Sequence, residues 1–121
     1  MENEVKLKKI SKKELKDIIK KNKSFSRYWK NKEISGLYAI NNDKDLVGLL
    51  SIGNRRDCLF VNMIEISEKK KGFGKKTVDI LKNMTTKNIK GIPASDAEEF
   101  WKKMGAKFDE TIYFTIEKEK Y

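Results

Sequence analysis

Residues 66–77 read Ile66-Ser67-Glu68-Lys69-Lys70-Lys71-Gly72-Phe73-Gly74-Lys75-Lys76-Thr77: a strand end, a lysine-flanked glycine turn and the start of a helix. Such a junction presents backbone amides at the positive end of a helix dipole, where a phosphate or pyrophosphate can be held. Two well-known phosphate loops are excluded by position. A Walker loop would need glycine at Lys69 and Ser or Thr at Lys76, and the dinucleotide fingerprint would need its third glycine at Thr77. Lys75 and Lys76 fall in the first helical turn, where each cation opposes the macrodipole by a few tenths to about 1 kcal/mol at low salt. Lys69, Lys70 and Lys71 add charge of the same sign. A bound polyanion reverses that penalty, whereas the plainer reading is an ordinary glycine turn whose lysines are solvated.

Working outward, residues 58–66 are the longest apolar strand pattern in the chain. After the glycine turn, Thr77, Ile80, Leu81 and Met84 recur at helical spacing, which predicts a helix from Gly74 or Lys75 that ends before Asn88. Residues 89–92 follow as a short strand closed by Pro93. Ser95-Asp96-Ala97-Glu98 has the form of a capping box ahead of a helix carrying Ala97, Phe100, Trp101 and Met104, with Gly105 placed to stop it. Residues 112–116 form a last strand. Upstream, Val5, Leu7 and Ile10 suggest an opening strand, and Ser11-Lys12-Lys13-Glu14 is a capping box for a helix striped by Leu15, Ile18 and Ile19. Residues 25–29, Phe-Ser-Arg-Tyr-Trp, read as a second short helix or a loop. Residues 37–40 and 46–52 read as a hairpin around the turn-rich 41–45. The order is antiparallel strands first and β-α-β-α-β afterwards: an α/β fold of the α+β type, with one mixed, mostly antiparallel sheet flanked by helices.

The chain has 121 residues, 38% hydrophobic and 38% charged, which predicts one domain over 1–121 with a heavily charged surface. Apolar runs fall short of the ~20 residues that span a bilayer, and Met1-Glu2-Asn3-Glu4 lacks the basic-then-apolar order of a signal peptide, so a cytoplasmic protein without membrane attachment is expected. Cys58 is the sole cysteine and histidine is absent, which removes His-based metal sites and Ser-His or Cys-His couples, so no metal is expected. Acid–base chemistry must then come from Glu, Asp, Tyr, Lys, Cys or water. The net charge is +10, yet only three of the 28 cationic residues, Arg27, Arg55 and Arg56, are arginine. Base readout leans on the arginine fork, so a small nucleic-acid-binding module is the weaker reading and any such binding should be nonspecific and electrostatic.

Ile66, the Lys71-Gly72-Phe73-Gly74 loop, the helix and short strand that follow, and the run Ala97-Glu98-Glu99-Phe100-Trp101-Lys102-Lys103-Met104-Gly105-Ala106 together resemble the GNAT superfamily of acyl-CoA N-acyltransferases, most closely over residues 58–108. The resemblance implies a GNAT-like fold and an N-acetyltransferase that moves the acetyl group of acetyl-CoA directly to a primary amine. The acceptor would be a protein lysine, an N-terminus or a small-molecule amine, and a monomer or homodimer is expected. Lys71, Gly72, Phe73, Gly74, Lys75 and Lys76 would supply amides and charge to the coenzyme phosphates. Ile64, Glu65 and Ile66 would lie along the pantetheine, with Trp101 beside it and Lys103 within reach of a phosphate. The chain departs from the family pattern in three places: Lys69 replaces the usual Arg or Gln, Ala94 the frequent Asn beside Ser95, and Trp101 the Tyr that protonates the departing thiolate.

An indole N–H donates a hydrogen bond without useful acidity, so the acid would be another group, with Tyr113 ahead of Tyr38 and Tyr28, or there is none. Trp101 otherwise reads as core packing. Glu65 is the candidate base, or else a solvated strand-end glutamate: on an unbroken strand it shares a face with Leu59, Val61 and Met63, an apolar setting, although the strand bulge that the resemblance implies would shift that alternation. Amides beside Ile64 and Ile66 would stabilise the oxyanion. Phe25, Tyr28 and Trp29 lie in the segment that builds acceptor pockets in the family; they would clamp an amine, or else lid the core. A chain this basic disfavours polyamines and aminoglycosides relative to an amine on an acidic or neutral partner. A GNAT-shaped scaffold that binds coenzyme A or a partner without turnover is the alternative that Trp101 motivates.

Overall fold

The computed structural model describes residues 4–31, 33–67, 72–93, 97–108 and 113–118. Its strands are β1 (Val5–Lys9), β2 (Leu37–Asn42), β3 (Asp45–Asn54), β4 (Cys58–Ile66), β5 (Asn88–Gly91), β6 (Lys107–Phe108) and β7 (Phe114–Ile116), joined in one sheet in the order β1-β2-β3-β4-β5-β7-β6. Neighbours run antiparallel except β4 and β5, which are parallel and joined through a helical crossover. The helices are α1 (Lys12–Lys21), α2 (Phe73–Met84) and α3 (Glu98–Lys103), with a 3-10 turn at Arg27–Lys30.

Local chemistry accounts for most boundaries. Ser11 Oγ accepts from Glu14 N at 3.1 Å and Glu14 Oε1 accepts from Ser11 N at 3.2 Å, the reciprocal capping box expected at the start of α1. The β2–β3 hairpin is tighter than its turn-rich sequence suggests. Asn42 pairs with Asp45, so Asp43 and Lys44 make the turn, and Asp43 takes the left-handed conformation with φ 55° that Asn and Asp tolerate. The 25–29 segment resolves into the short 3-10 turn, capped by Ser26 Oγ, which accepts from Tyr28 N at 3.1 Å. Strand β5 stops at Gly91 rather than Ile92, which is exposed. The two-residue β6 was not expected, and Ser95 and Ile112 lie outside the described residues.

The sheet carries a core on each face. Leu15 and Ile19 of α1 pack with Phe25, Trp29, Ile34 and, from the sheet, Leu37, Ala39 and Leu49. On the other face Phe73, Val78 and Leu81 of α2 and Trp101 of α3 pack with Ile40, Leu50, Ile52, Leu59 and Val61. Cys58 is buried at the start of β4, in keeping with a packing residue. Among the described residues no helix is long and apolar enough to cross a membrane.

Candidate functional site

The site is built on a fork in the sheet. β5 pairs with β4 only from Cys58 to Val61, so beyond Val61 the β5 side of β4 has no strand neighbour among the described residues. At the same point β4 carries a bulge: Ile52 pairs with Val61 and Ser51 with Met63, leaving Asn62 as the extra residue. Main-chain polar groups alternate between the two edges of a strand. Ser67 N donates to Val47 O at 2.8 Å, toward β3, so the N–H groups of Ile64 and Ile66 point to the open edge.

A second set of amides, at the start of α2, lies near this edge. Gly72 is the cap of α2 with φ 79° and ψ 8°, the left-handed conformation in which a side chain costs energy, and no side chain caps the helix. The first turn of α2 holds no acid. Gly74 fits where a Cβ would come within 2.9 Å of Phe100 Cε1 and 3.9 Å of Ile66 Cγ1, so the helix start, the end of β4 and α3 converge there. Phe73 buries its ring in the core and can offer only its main chain. Lys75 pairs with Asp79 at 3.0 Å, and Lys75, Lys76 and Lys103 are exposed. Lys71, with Lys69, Lys70, Ala94 and Ser95, lies outside the described residues.

Glu65 is on the other face from the one an unbroken strand implies. The bulge returns Ile64 and Ile66 to the α2 face occupied by Leu59 and Val61, and turns Met63 and Glu65 toward α1. There Glu65 Oε1 accepts from Trp29 Nε1 at 2.8 Å and from Ser26 N at 2.9 Å, tying the 3-10 turn to β4. The expected apolar neighbours Leu59 and Val61 are therefore not its surroundings; an indole and a backbone amide are.

The aromatic expectations are largely corrected. Trp101 is 2% exposed, its ring 3.9 Å from that of Phe114 and nearly parallel to it, so it is a core residue with no surface for pantetheine. Phe25 and Trp29, 6% and 1% exposed, lid the α1-side core instead of lining an open clamp, and only Tyr28 is exposed. Tyr113 is 39% exposed and packs edge-on against Phe60 at 6.0 Å. A polar chain escaped notice in the sequence. Ser51 Oγ donates to Ser35 O and accepts from Asn62 Nδ2 at 3.2 Å, anchoring the bulge. Asn62 between Val61 and Met63 in an apolar strand was the available signal.

No protein-family model and no curated protein matches the chain. Solved structures do. The Bacillus subtilis N-acetyltransferase YlbP, solved with coenzyme A, matches over 94% of this chain and 97% of its own, with TM-score 0.67 and 21% identity. The ribosomal-protein-S18-alanine N-acetyltransferase of Escherichia coli matches over 98% and 96%, with TM-score 0.68 and 11% identity. N-acetylglutamate synthase of Neisseria gonorrhoeae, solved with coenzyme A and L-arginine, gives TM-score 0.72 at 12% identity; this chain spans 34% of its length. The fold is that of the GNAT N-acetyltransferases.

Proposed function

We propose that this protein is an N-acetyltransferase that transfers the acetyl group of acetyl-CoA directly to a primary amine. One observation carries the reading: the open edge of β4 beyond Val61 directs the Ile64 and Ile66 amides to the side on which the uncapped α2 N-terminus meets Ile66. Two hydrogen-bonding needs of an acyl-CoA are thereby offered close together. The amides at Gly72, Phe73 and Gly74, with the Lys75 and Lys76 charges, suit a pyrophosphate. The free strand edge suits the amide-bearing pantetheine arm and the developing oxyanion. Coenzyme A in structures of similar fold lends further support.

In this reading the neutral amine attacks the thioester carbonyl, and the oxyanion accepts from an amide at the β4 edge. Glu65, directly or through water, takes the ammonium proton, and since Oε1 already accepts from Trp29 and Ser26 that task falls to Oε2. Tyr113 is the candidate donor to the thiolate. The acceptor is an amine on an acidic or neutral carrier. A scaffold that binds coenzyme A without turnover is favoured by one observation, the burial of Trp101 where the family carries its acid. Calorimetric titration of acetyl-CoA at about 150 mM salt, with ATP as control polyanion, tests the site. Saturable binding of acetyl-CoA alone supports it, and equal weak binding of both overturns it. Turnover across an amine panel then separates enzyme from scaffold.

A further inference from the structure

The start of α2 and the candidate base lie on opposite faces of β4: the helix packs on one, and the bulge turns Glu65 to the other, where it meets Trp29 and Ser26. Phe60 shares the Glu65 face, because its neighbours Leu59 and Val61 both belong to the α2-side core. Phe114 belongs to that core as well, so Tyr113 before it projects the same way as Phe60, and the two rings meet edge-on at 6.0 Å. The α1-side core takes in Leu37, Ala39, Leu49 and Met63 from the sheet but neither Phe60 nor Tyr113. Tyr113 is 39% exposed, and Ile92, one residue past the last β5–β7 pair, is 49% exposed. An amine that reaches Glu65 and the fork from this face crosses that surface.

One charged group is fixed on it. Arg55 is exposed, and its guanidinium carbon lies 3.8 Å from the centroid of the Phe60 ring. A cation–π contact holds the guanidinium in place while spending none of its five N–H donors. The main chain of Arg55 is tied down too: its N–H donates to Cys58 O at 2.9 Å, and its carbonyl accepts from Lys87 Nζ at 2.7 Å. Among the described residues no carboxylate forms an ion pair with Arg55. Room is left beside it, since Gly53 pairs with Phe60 across β3 and a Cβ there would find only Asn62 Nδ2, at 3.9 Å, within contact range. Phe60 and Ile64, whose amide faces the proposed oxyanion, are four residues apart with one of them in the bulge, about 10 Å at the rise of a strand. We infer that the acceptor carries a carboxylate about 10 Å from its amine and that Arg55 binds it, an inference that rests on the acetyltransferase reading. A planar carboxylate takes the guanidinium fork in two parallel hydrogen bonds, so one preplaced arginine suffices.

The test is kcat/KM at saturating acetyl-CoA for tripeptide amides with free N-termini, since three extended residues span about 10 Å. Ala-Ala-Glu is compared with Ala-Ala-Gln, Glu-Ala-Ala with Gln-Ala-Ala, and Ala-Ala-phosphoserine is run beside them. Glutamate at the third position should raise kcat/KM over glutamine at least about tenfold, and at the first position less than about threefold. Arg55→Gln should bring the third-position ratio below about threefold while leaving Ala-Ala-Gln within about twofold. Arg55→Lys, which keeps the charge and loses the fork, should fall between. Arg56→Gln removes equal charge at the adjacent exposed position and should keep the tenfold ratio. The inference is overturned, with the enzyme reading intact, if the ratio survives Arg55→Gln, if Arg56→Gln lowers it as much, or if both glutamate positions are favoured equally. An Arg55-dependent preference for phosphoserine over glutamate would overturn it too, assigning the arginine to a phosphate. Failure of every peptide to turn over also overturns it, and the amine panel then judges the enzyme reading separately.

Discussion

Glu65 has a structural duty and, in the proposed reaction, a catalytic one, and single substitutions pull them apart. Its Oε1 satisfies the indole N–H of Trp29, 1% exposed, together with the Ser26 amide. Glu65→Ala strands a buried donor and should cost about 1–3 kcal/mol in denaturant unfolding. Glu65→Gln keeps an acceptor oxygen, so its stability should fall by less, yet an amide cannot take up the amine proton, and acetyl transfer should drop by about 10²–10⁴. Full turnover in Glu65→Gln would leave the residue as a positioning group alone. Trp101 has one duty in this geometry. Stacked on Phe114 and edge-on to Phe100 at 5.1 Å, it fills the α2-side core, and Trp101→Ala should cost about 3–5 kcal/mol by chemical denaturation. A loss below about 1 kcal/mol would show that the stacked geometry contributes little.

The helix starts show what short-range sequence can and cannot convey. The capping box of α1 was legible because both partners lie within one turn, and Ser11→Ala should cost about 1 kcal/mol, seen as a lower unfolding midpoint. The α2 cap rests on Gly72 alone: a Cβ there meets nothing within 4 Å, so Gly72→Ala tests backbone strain by itself and should cost about 1–2 kcal/mol. A neutral result would place the glycine's importance in the loop's ligand rather than its conformation. β4 was readable end to end as the longest apolar strand pattern, but the direction of Glu65 was not, because Asn62 slips the alternation through a bulge held by Ser35 and Ser51. Phe25 and Trp29 could be lid or clamp on local evidence; what decides is a carboxylate 36 residues away from Trp29. β6 offers two residues, too few for any alternating pattern to register. The glycine turn and α3 were visible as motifs, yet their convergence on Ile66 is a property of the folded sheet.

At the scale of the molecule the argument is electrostatic. A net charge of +10 acts on every approaching substrate before any pocket does, and its reach shrinks to about 8–10 Å at physiological salt. Nonspecific attraction to RNA or DNA should therefore collapse between about 50 and 200 mM salt, as counterion release requires, whereas acetyl-CoA, held in the proposed site also by amides of fixed direction, should remain saturable. Acceptors should separate by the sign of that dependence. Spermidine is repelled, so its kcat/KM should be low in dilute buffer and rise as added salt screens the repulsion. A peptide amine flanked by glutamates is attracted, so its kcat/KM should start higher and fall over the same range. The crossing of the two salt profiles is the diagnostic, since it cancels any general effect of ionic strength on the fold or on acetyl-CoA binding. Spermidine as the best acceptor at low salt would mean that a local acidic pocket overrides the field of the whole molecule, and the preference for acidic or neutral carriers would have to be abandoned.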